Sequence, residues 1–134
     1  WLKGLLTPFR YSGFGQLATH LRFVERSSRK LARETFHGMA VYQARLEKRQ
    51  AFLFRCVVVA MELFAMAASV SHARRLQELD RPGAAQALEL ADLFCRGSRR
   101  KVRRLFQDLW SNDDVRKNRL AARVMNAERD RVMI

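Results

Sequence analysis

The segment Ala51–Val70 is apolar at nearly every position, and its two charged residues are Arg55 and Glu62. Seven residues are almost two helical turns, so both charges fall on one narrow face of a helix. Because every other face is apolar, the pattern predicts a helix surrounded by neighbours on most sides. The segment is just long enough to span a bilayer, but two unpaired charges near its middle would be costly there. We therefore predict the central helix of a soluble bundle, with Arg55 and Glu62 reaching polar partners on adjacent helices.

An amphipathic helix is predicted before this segment, over about Leu21–Lys48. Its apolar residues recur at helical spacing: Val24, Leu31, Ala32, Phe36, Met39, Tyr42 and Leu46. The central helix then runs over about Ala51–Leu79. No strong helix breaker separates the two helices. We place the reversal near Glu47–Gln50, where the apolar pattern changes from one-sided to all-round.

Two further helices are predicted after the central one. The sequence Leu79–Gly83, LDRPG, is a helix stop followed by a turn. A third helix follows over about Ala84–Trp110, and Ser111–Asp114 provides another turn with oxygen atoms suited to helix capping. The fourth helix, about Asp113–Arg129, is the most polar. No segment alternates with a period of two, so the predicted fold is an all-α antiparallel bundle of about four helices.

Residues 1–20 differ from the rest of the chain in their glycine and proline content. Gly4, Pro8, Gly13 and Gly15 forbid a long helix here. We expect an irregular arm or linker from an upstream domain over residues 1–20 and a helical bundle domain over residues 21–134. Because the chain opens with Trp1 rather than Met, we expect a fragment of a longer chain.

The strongest signal in the composition is positive charge. The chain has 26 Lys and Arg residues against 13 Asp and Glu residues, a net charge of +13 and a pI near 11.3. Such a charge favours an acidic partner, which is nucleic acid, an anionic membrane surface or an acidic protein surface. Nucleic acid is the weakest of these expectations, because no recognition motif accompanies the charge. The remaining alternative is that the positively charged face contacts only solvent and binds no partner.

The basic residues are concentrated in the third helix. We predict a basic docking surface there, formed by Arg96, Arg99, Arg100, Lys101, Arg103 and Arg104. A second basic stretch, Arg116–Arg123, lies in the predicted fourth helix.

The sequence offers little that could carry catalysis or bind a metal. Its histidines are His20, His37 and His72, and no metal-binding spacing connects them with each other or with a cysteine. Cys56 and Cys95 both lie in apolar helical patterns, which predicts reduced core cysteines of a cytoplasmic protein. We therefore predict no catalytic and no metal-binding residue in this chain.

Two weaker chemical signals have simpler explanations. Gly13–Ala18 matches the dinucleotide fingerprint G-x-G-x-x-A but lacks the preceding strand that the fingerprint requires, so we interpret it as a glycine turn. Glu62 would have a raised proton affinity, as a catalytic acid does, only if it were buried without a partner. A structural ion pair is the stronger hypothesis. No cofactor-binding residue is predicted.

Three segments resemble the extra C-terminal helical domain of very-long-chain-type acyl-CoA dehydrogenases. They are FVERSSRKLARETFHGMAVYQARLEKRQAFLFR, ELFAMAASVSHARR and ELADLFCRGSRRKVRRLFQDLW. The resemblance covers Phe23–Trp110, and the residues from Arg116 onward match the family poorly. All three segments are packing sequences rather than catalytic motifs.

The resemblance implies a flavoprotein whose catalytic part lies upstream and holds FAD, the acyl-CoA and the catalytic glutamate. None of those residues would be in this chain. In the family, the extra domain contributes to dimer organisation and membrane association. The implied partners are the upstream dehydrogenase domain of the same chain, a second copy in a homodimer and an anionic membrane surface. The implied location is cytoplasmic, at the periphery of a membrane.

The function that we predict is that of a non-catalytic accessory domain of an FAD-dependent acyl-CoA dehydrogenase of fatty-acid β-oxidation. It would act in domain docking, dimer organisation or membrane association. The alternative is a free-standing basic helical protein that binds nucleic acid or acidic protein partners. An independent helical enzyme is excluded by the lack of a reactive group of residues.

Overall fold

The computed structural model describes residues 11–133, apart from the side chains of Glu47 and Lys48. The predictions that concern Trp1, Gly4 and Pro8 lie outside these residues. The chain forms four α-helices with two short 3-10 helices: Ser12–Leu17 (3-10), α1 Ala18–Tyr42, Gln43–Lys48 (3-10), α2 Gln50–Glu78, α3 Ala84–Trp110 and α4 Asp114–Val132. The predicted all-α bundle is confirmed, and no described residue lies in a strand.

The reversal between α1 and α2 begins earlier than we predicted. Helix α1 ends at Tyr42, where the predicted first helix continues to Lys48. At Gln43 the backbone leaves the helical region, with φ 46° and ψ −127°, and Gln43–Lys48 forms a 3-10 helix. Glutamine has no preference for such a conformation, so the sequence carries no signal for the change. At its other end α1 begins at Ala18, where we predicted a start near Leu21.

The reversal between α2 and α3 follows the predicted signals. The backbone N–H of Arg81 donates to the carbonyl oxygen of Leu76 at 3.0 Å, which closes the end of α2. Asp80 and Gly83 have φ values of 48° and 83°. Glycine adopts this left-handed conformation without steric cost, which explains why the turn can be so short.

Helices α1, α2 and α3 form an up-down-up bundle with α2 packed against both neighbours. The fully buried core includes Val59, Met66 and Val70 of α2 with Cys95 and Val102 of α3. At one end of the bundle, an aromatic cluster joins the three helices through Tyr42, Phe52 and Trp110. At the other end, His20 of α1 contacts Asp92 of α3. Helices α1 and α3 are therefore parallel and α2 is antiparallel to both.

Helix α2 is not surrounded in the way that its composition predicted. Its residues Phe54, Val57, Met61 and Phe64 are 55–76% exposed. By length and composition α2 is also the one helix among residues 11–133 that could cross a membrane, and only 28% of its most apolar stretch is buried. The prediction of neighbours on most sides was wrong because α1 and α3 both pack on the same side of α2.

Helix α4 lies outside the three-helix core. None of its residues is buried, and it is exposed along nearly its whole length. Its first residue, Asp114, accepts two hydrogen bonds from Arg55 of α2. The attachment of α4 to the bundle is therefore concentrated at its N-terminal end.

Gly38 marks the closest approach of α1 and α2. It is buried, and a Cβ atom at this position would overlap the ring of Phe52, which is itself buried in the core. A glycine in the middle of a helix weakens the helix by about 1 kcal/mol relative to alanine. The absence of a side chain at Gly38 therefore allows the two helices to pack closely.

We predict that Gly38→Ala destabilises the bundle although it raises helix propensity. Overpacking a core costs about 1–3 kcal/mol, which outweighs a helix gain of about 1 kcal/mol. The matched control is Gly97→Ala in α3, where the nearest atom to an added Cβ is the end of the Arg100 side chain at 4.0 Å. Thermal unfolding followed by circular dichroism should give a lower midpoint for Gly38→Ala and an equal or higher one for Gly97→Ala. Equal midpoints for both variants would contradict the close approach.

Candidate interaction surfaces

An apolar surface runs along the outer side of α2 and continues onto α1. The exposed α2 residues Phe54, Val57, Met61 and Phe64 are spaced by three, four and three positions, which aligns them in one stripe. Phe64 also borders a groove of about 610 Å³ between α1 and α2. From here on, the apolar face means the exposed residues Phe36, Met39, Phe54, Val57, Met61 and Phe64.

Arg55 reaches across to the start of α4. Its two guanidinium nitrogens donate to the two carboxylate oxygens of Asp114 at 2.5 and 2.8 Å, and both side chains are less than one fifth exposed. The hydrogen bond from Arg55 holds the pKa of Asp114 below its ordinary value. Two parallel hydrogen bonds fix the relative orientation of the two side chains and bring their opposite charges together. Arg55 therefore links the outer helix α4 to the core helix α2.

Glu62 reaches α3 instead. Lys101 donates from Nζ to Glu62 Oε1 at 2.5 Å. The bond from Lys101 lowers the pKa of Glu62, and a bond from Ser98 acts in the same direction. Glu62 is therefore ionised near neutral pH, which removes the condition under which it would act as a catalytic acid.

The predicted basic docking surface divides into three parts. Two of its members are neutralised within the bundle: Arg96 by Asp92 at 2.7 Å, and Lys101 by Glu62. Arg100 and Arg104 are exposed on the outer side of α3.

Arg99 and Arg103 form the third part, and they turn toward α1. Their guanidinium carbons lie 5.0 and 5.5 Å from the centre of the Phe23 ring. Burial lowers the pKa of Arg99, and the nearby charges of Arg103, Arg26 and Arg96 lower it further. This part of α3 therefore faces other cations of the bundle rather than a carboxylate.

Helix α1 supplies basic residues that the sequence analysis did not include. Arg26, Lys30 and Arg33 are all exposed and are spaced by four and three positions. Together with Arg103 of α3, they line a groove of about 520 Å³ between α1 and α3. The helical spacing of the three α1 residues could have revealed them, but the pairing with α3 could not be read from the sequence. The basic groove is lined by Arg26, Lys30, Arg33 and Arg103 above Phe23 and Phe106.

His20 is the second feature that the sequence did not indicate. It is 2% exposed, although its position lies within the predicted irregular arm. Its Nε2 bonds to Asp92 Oδ1 at 2.8 Å, and Arg96 donates to the other carboxylate oxygen. The bond with His20 is the main cause of the lowered pKa of Asp92. This contact fastens the start of α1 to α3.

The remaining candidate groups form no reactive site. Cys56 and Cys95 are both buried and unbridged, and burial raises the pKa of Cys95 to about 11. Such a thiol is a poor nucleophile near neutral pH. Within residues 11–133 there is no group of three potential metal ligands. Gly13–Ala18 lies in the first 3-10 helix and the start of α1, and no described strand precedes it.

We predict that Asp114→Asn loosens α4. Because the folded-state pKa of Asp114 lies below its ordinary value, the pair stabilises the fold above about pH 4 and loses this contribution as the pH falls through the folded pKa. The substitution leaves Arg55 half-buried without its ionic partner, at a cost of about 1–3 kcal/mol. Limited trypsin digestion at neutral pH should then cleave α4 faster at Arg116, Lys117 and Arg119.

The matched control for this variant is Asp113→Asn, which removes a neighbouring charge that forms no ion pair among the described residues. Its digestion rate should match that of the unaltered chain. Equal rates for the two variants would show that the ion pair does not anchor α4. As the pH falls through the lowered folded-state pKa of Asp114, the unaltered chain should lose the same contribution, and digestion with a protease that is active in acid should then cleave α4 faster.

Known proteins share the sequence of this chain over nearly its whole length. The chain is 52% identical over 130 residues to probable acyl-CoA dehydrogenase FadE10 of Mycobacterium tuberculosis and, equally, to the protein of that name in Mycobacterium bovis. The match covers 93% of this chain and 20% of the relatives, so the chain spans about a fifth of their length. No protein-family model and no solved structure matches the chain significantly.

The matched fifth of the relatives is their C-terminal part. Identity of 52% over nearly the whole chain indicates common ancestry, and the match of 130 residues extends beyond Arg116, from which we described the resemblance as poor. The resemblance that we described from the sequence is confirmed: this chain is homologous to the C-terminal part of the probable acyl-CoA dehydrogenases named FadE10.

Proposed function

We propose that the chain is a non-catalytic accessory domain of an FAD-dependent acyl-CoA dehydrogenase, and that it docks on the catalytic part through the apolar face. The homology to the C-terminal part of the FadE10 proteins supports the general assignment. The apolar face is the observation that carries the docking proposal. It consists of side chains that water solvates poorly and that no described element of the chain covers.

The size of the apolar face argues for a protein partner. Phe54, Met61 and Phe64 are 69%, 63% and 76% exposed. Burying one such side chain completely contributes about 1.5–3 kcal/mol, so the three together contribute about 4.5–9 kcal/mol toward offsetting the cost of association. Contiguous apolar patches of this kind mark interaction sites on soluble proteins.

The length of the relatives supports the partner that we propose for this face. Four fifths of the length of each relative lies outside the matched part. Arg55 and Glu62 border the apolar face but are already paired within the bundle, so a partner can cover α2 without burying an unpaired charge. An apolar surface on the dehydrogenase portion would lie in this unmatched length, and it would cover α2 without burying an unpaired charge.

In this proposal the dehydrogenase portion, which lies outside the matched part, carries out the catalysis. It would bind FAD and the acyl-CoA of fatty-acid β-oxidation and supply the catalytic base. The docked domain would hold the two halves of a homodimer in place, on the cytoplasmic side at the periphery of a membrane. The positive net charge of +13 favours an anionic surface for that membrane contact.

The natural protein that contains this chain should be a flavoprotein. Its intact mass should exceed that of the 134-residue chain several-fold, and the purified protein should show the visible absorbance of bound flavin. Denaturation should release the flavin into the soluble fraction. A colourless natural protein would overturn the assignment to an FAD-dependent enzyme and favour the basic helical protein that binds acidic partners.

The apolar face should be required for docking. We expect Met61→Gln with Phe64→Gln to weaken binding of the 134-residue chain to the separately produced dehydrogenase portion by more than tenfold, because two large side chains lose about 1.5–3 kcal/mol each. Isothermal titration calorimetry measures this affinity. Circular dichroism should show an intact bundle, since both side chains are more than 60% exposed.

The matched control is Leu90→Gln with Leu93→Gln on α3. These leucines are 67% and 68% exposed, so the control removes similar apolar surface from another side of the bundle. Its affinity should stay within about twofold of the unaltered chain. Equal weakening by both double variants, or no measurable binding of the unaltered chain, would contradict docking through the apolar face.

A further inference from the structure

We propose that the basic groove between α1 and α3 is a binding site for a diphosphate ester. The proposal is independent of docking, because the basic groove lies between α1 and α3 and shares no residue with the apolar face. Arg26, Lys30 and Arg33 of α1 converge with Arg103 of α3 on one concavity of about 520 Å³. Sites for small molecules commonly have volumes of about 300–1,000 Å³.

The charge of the groove is not compensated within the described chain. None of the four cations forms an ion pair with a described residue, and no carboxylate lines the groove. Glu34 follows Lys30 by one helical turn, but its carboxylate accepts a hydrogen bond from the Trp110 indole at 2.6 Å. Elsewhere on α3, Arg96 and Lys101 each have a carboxylate partner. Unlike Arg96 and Lys101, the four groove cations therefore keep their charge, and they share a single concavity.

Aromatic rings hold two of these cations without neutralising them. Arg103 lies 5.5 Å from the centre of the Phe23 ring, and the Lys30 ammonium lies 4.6 Å from that of Phe106. Contacts of this kind position a cation by its attraction to the ring face and leave its charge free for a ligand. Because the cations are already in place, a ligand binds them with a smaller loss of side-chain entropy.

The number and type of the donors favour adjacent phosphate groups. Three of the four cations are arginines, whose planar guanidinium groups match phosphate oxygens with two parallel hydrogen bonds. A single carboxylate would leave most of the groove charge uncompensated, whereas a diphosphate presents several anionic oxygens within a few ångströms. Ser27 and Gln107 add neutral hydrogen-bonding groups to the lining. The source of the diphosphate or phosphate is either a soluble ester or a lipid headgroup.

The test compares two double variants of the natural protein that contains this chain. Arg26→Gln with Arg33→Gln removes two exposed groove cations, neither of which forms an ion pair or a cation–ring contact with a described residue. Arg100→Gln with Arg104→Gln removes the same charge from the exposed outer side of α3. Any flavin or substrate site elsewhere in the protein is the same in both variants, so only the difference between them reports on the groove.

The probes are inorganic pyrophosphate, measured by calorimetry at physiological ionic strength, and phosphatidylcholine vesicles with and without phosphatidic acid, measured by sedimentation. We expect the groove variant to bind pyrophosphate on the order of tenfold more weakly and the control to match the unaltered protein within about twofold. Groove-dependent binding to phosphatidic acid vesicles in addition to pyrophosphate would identify a lipid headgroup as the source of the phosphate, whereas such binding without pyrophosphate would overturn the diphosphate ligand. Equal weakening in both variants, or no binding of either probe, would overturn the proposal. Groove-dependent binding of duplex DNA without binding of pyrophosphate would overturn it in favour of a nucleic-acid surface.

Discussion

The structure depends on the one-sided burial of α2. A helix in a three-helix bundle has two neighbours, so it can bury only the side that faces both of them. For α2 this side carries Val59, Met66 and Val70, which are completely buried. The opposite side is also apolar, and residues 11–133 include no further helix to cover it because α4 lies outside the core. The hydrophobic effect therefore favours an additional contact on this side of α2.

Hydrophobicity alone does not decide which side of α2 faces the core, because the helix is apolar all round. Arg55 and Glu62 decide it. They lie on one stripe at the border of the buried side, and their partners are Asp114 and Lys101, at the start of α4 and on α3. A rotation of α2 about its axis would either bury these charges or separate them from their partners, and both changes are costly. Two ion pairs thus select one rotation of the helix and, with it, the side that remains exposed.

The periodicity of the sequence predicted the fold class and the bounds of α2 and α3 within about one residue, because both helices end at strong signals. It did not predict the end of α1, since Gln43 adopts a positive φ without being a glycine or an asparagine.

The exposed apolar side of α2 was not predicted, for a different reason. Apolar composition shows that a surface needs cover but not whether the same chain supplies it. The basic groove was missed because its cations come from two helices, and the sequence displays each helix separately. The homology to the C-terminal part of acyl-CoA dehydrogenases was visible in the packing segments before any geometry.

The distribution of the positive charge follows from the same packing. Carboxylates of α2 and α3 neutralise the cations that flank the interfaces, such as Lys101 and Arg96. The α1–α3 interface instead uses aromatic rings, which hold Arg99, Arg103 and Lys30 without removing their charge. At Lys30 and Arg103 this arrangement costs less desolvation than a buried ion pair, because both side chains remain exposed to solvent or to a ligand. The bundle therefore leaves positively charged side chains in the groove between α1 and α3. The two surfaces that we propose for binding share no residue, and they differ in chemistry: one is apolar and the other is basic.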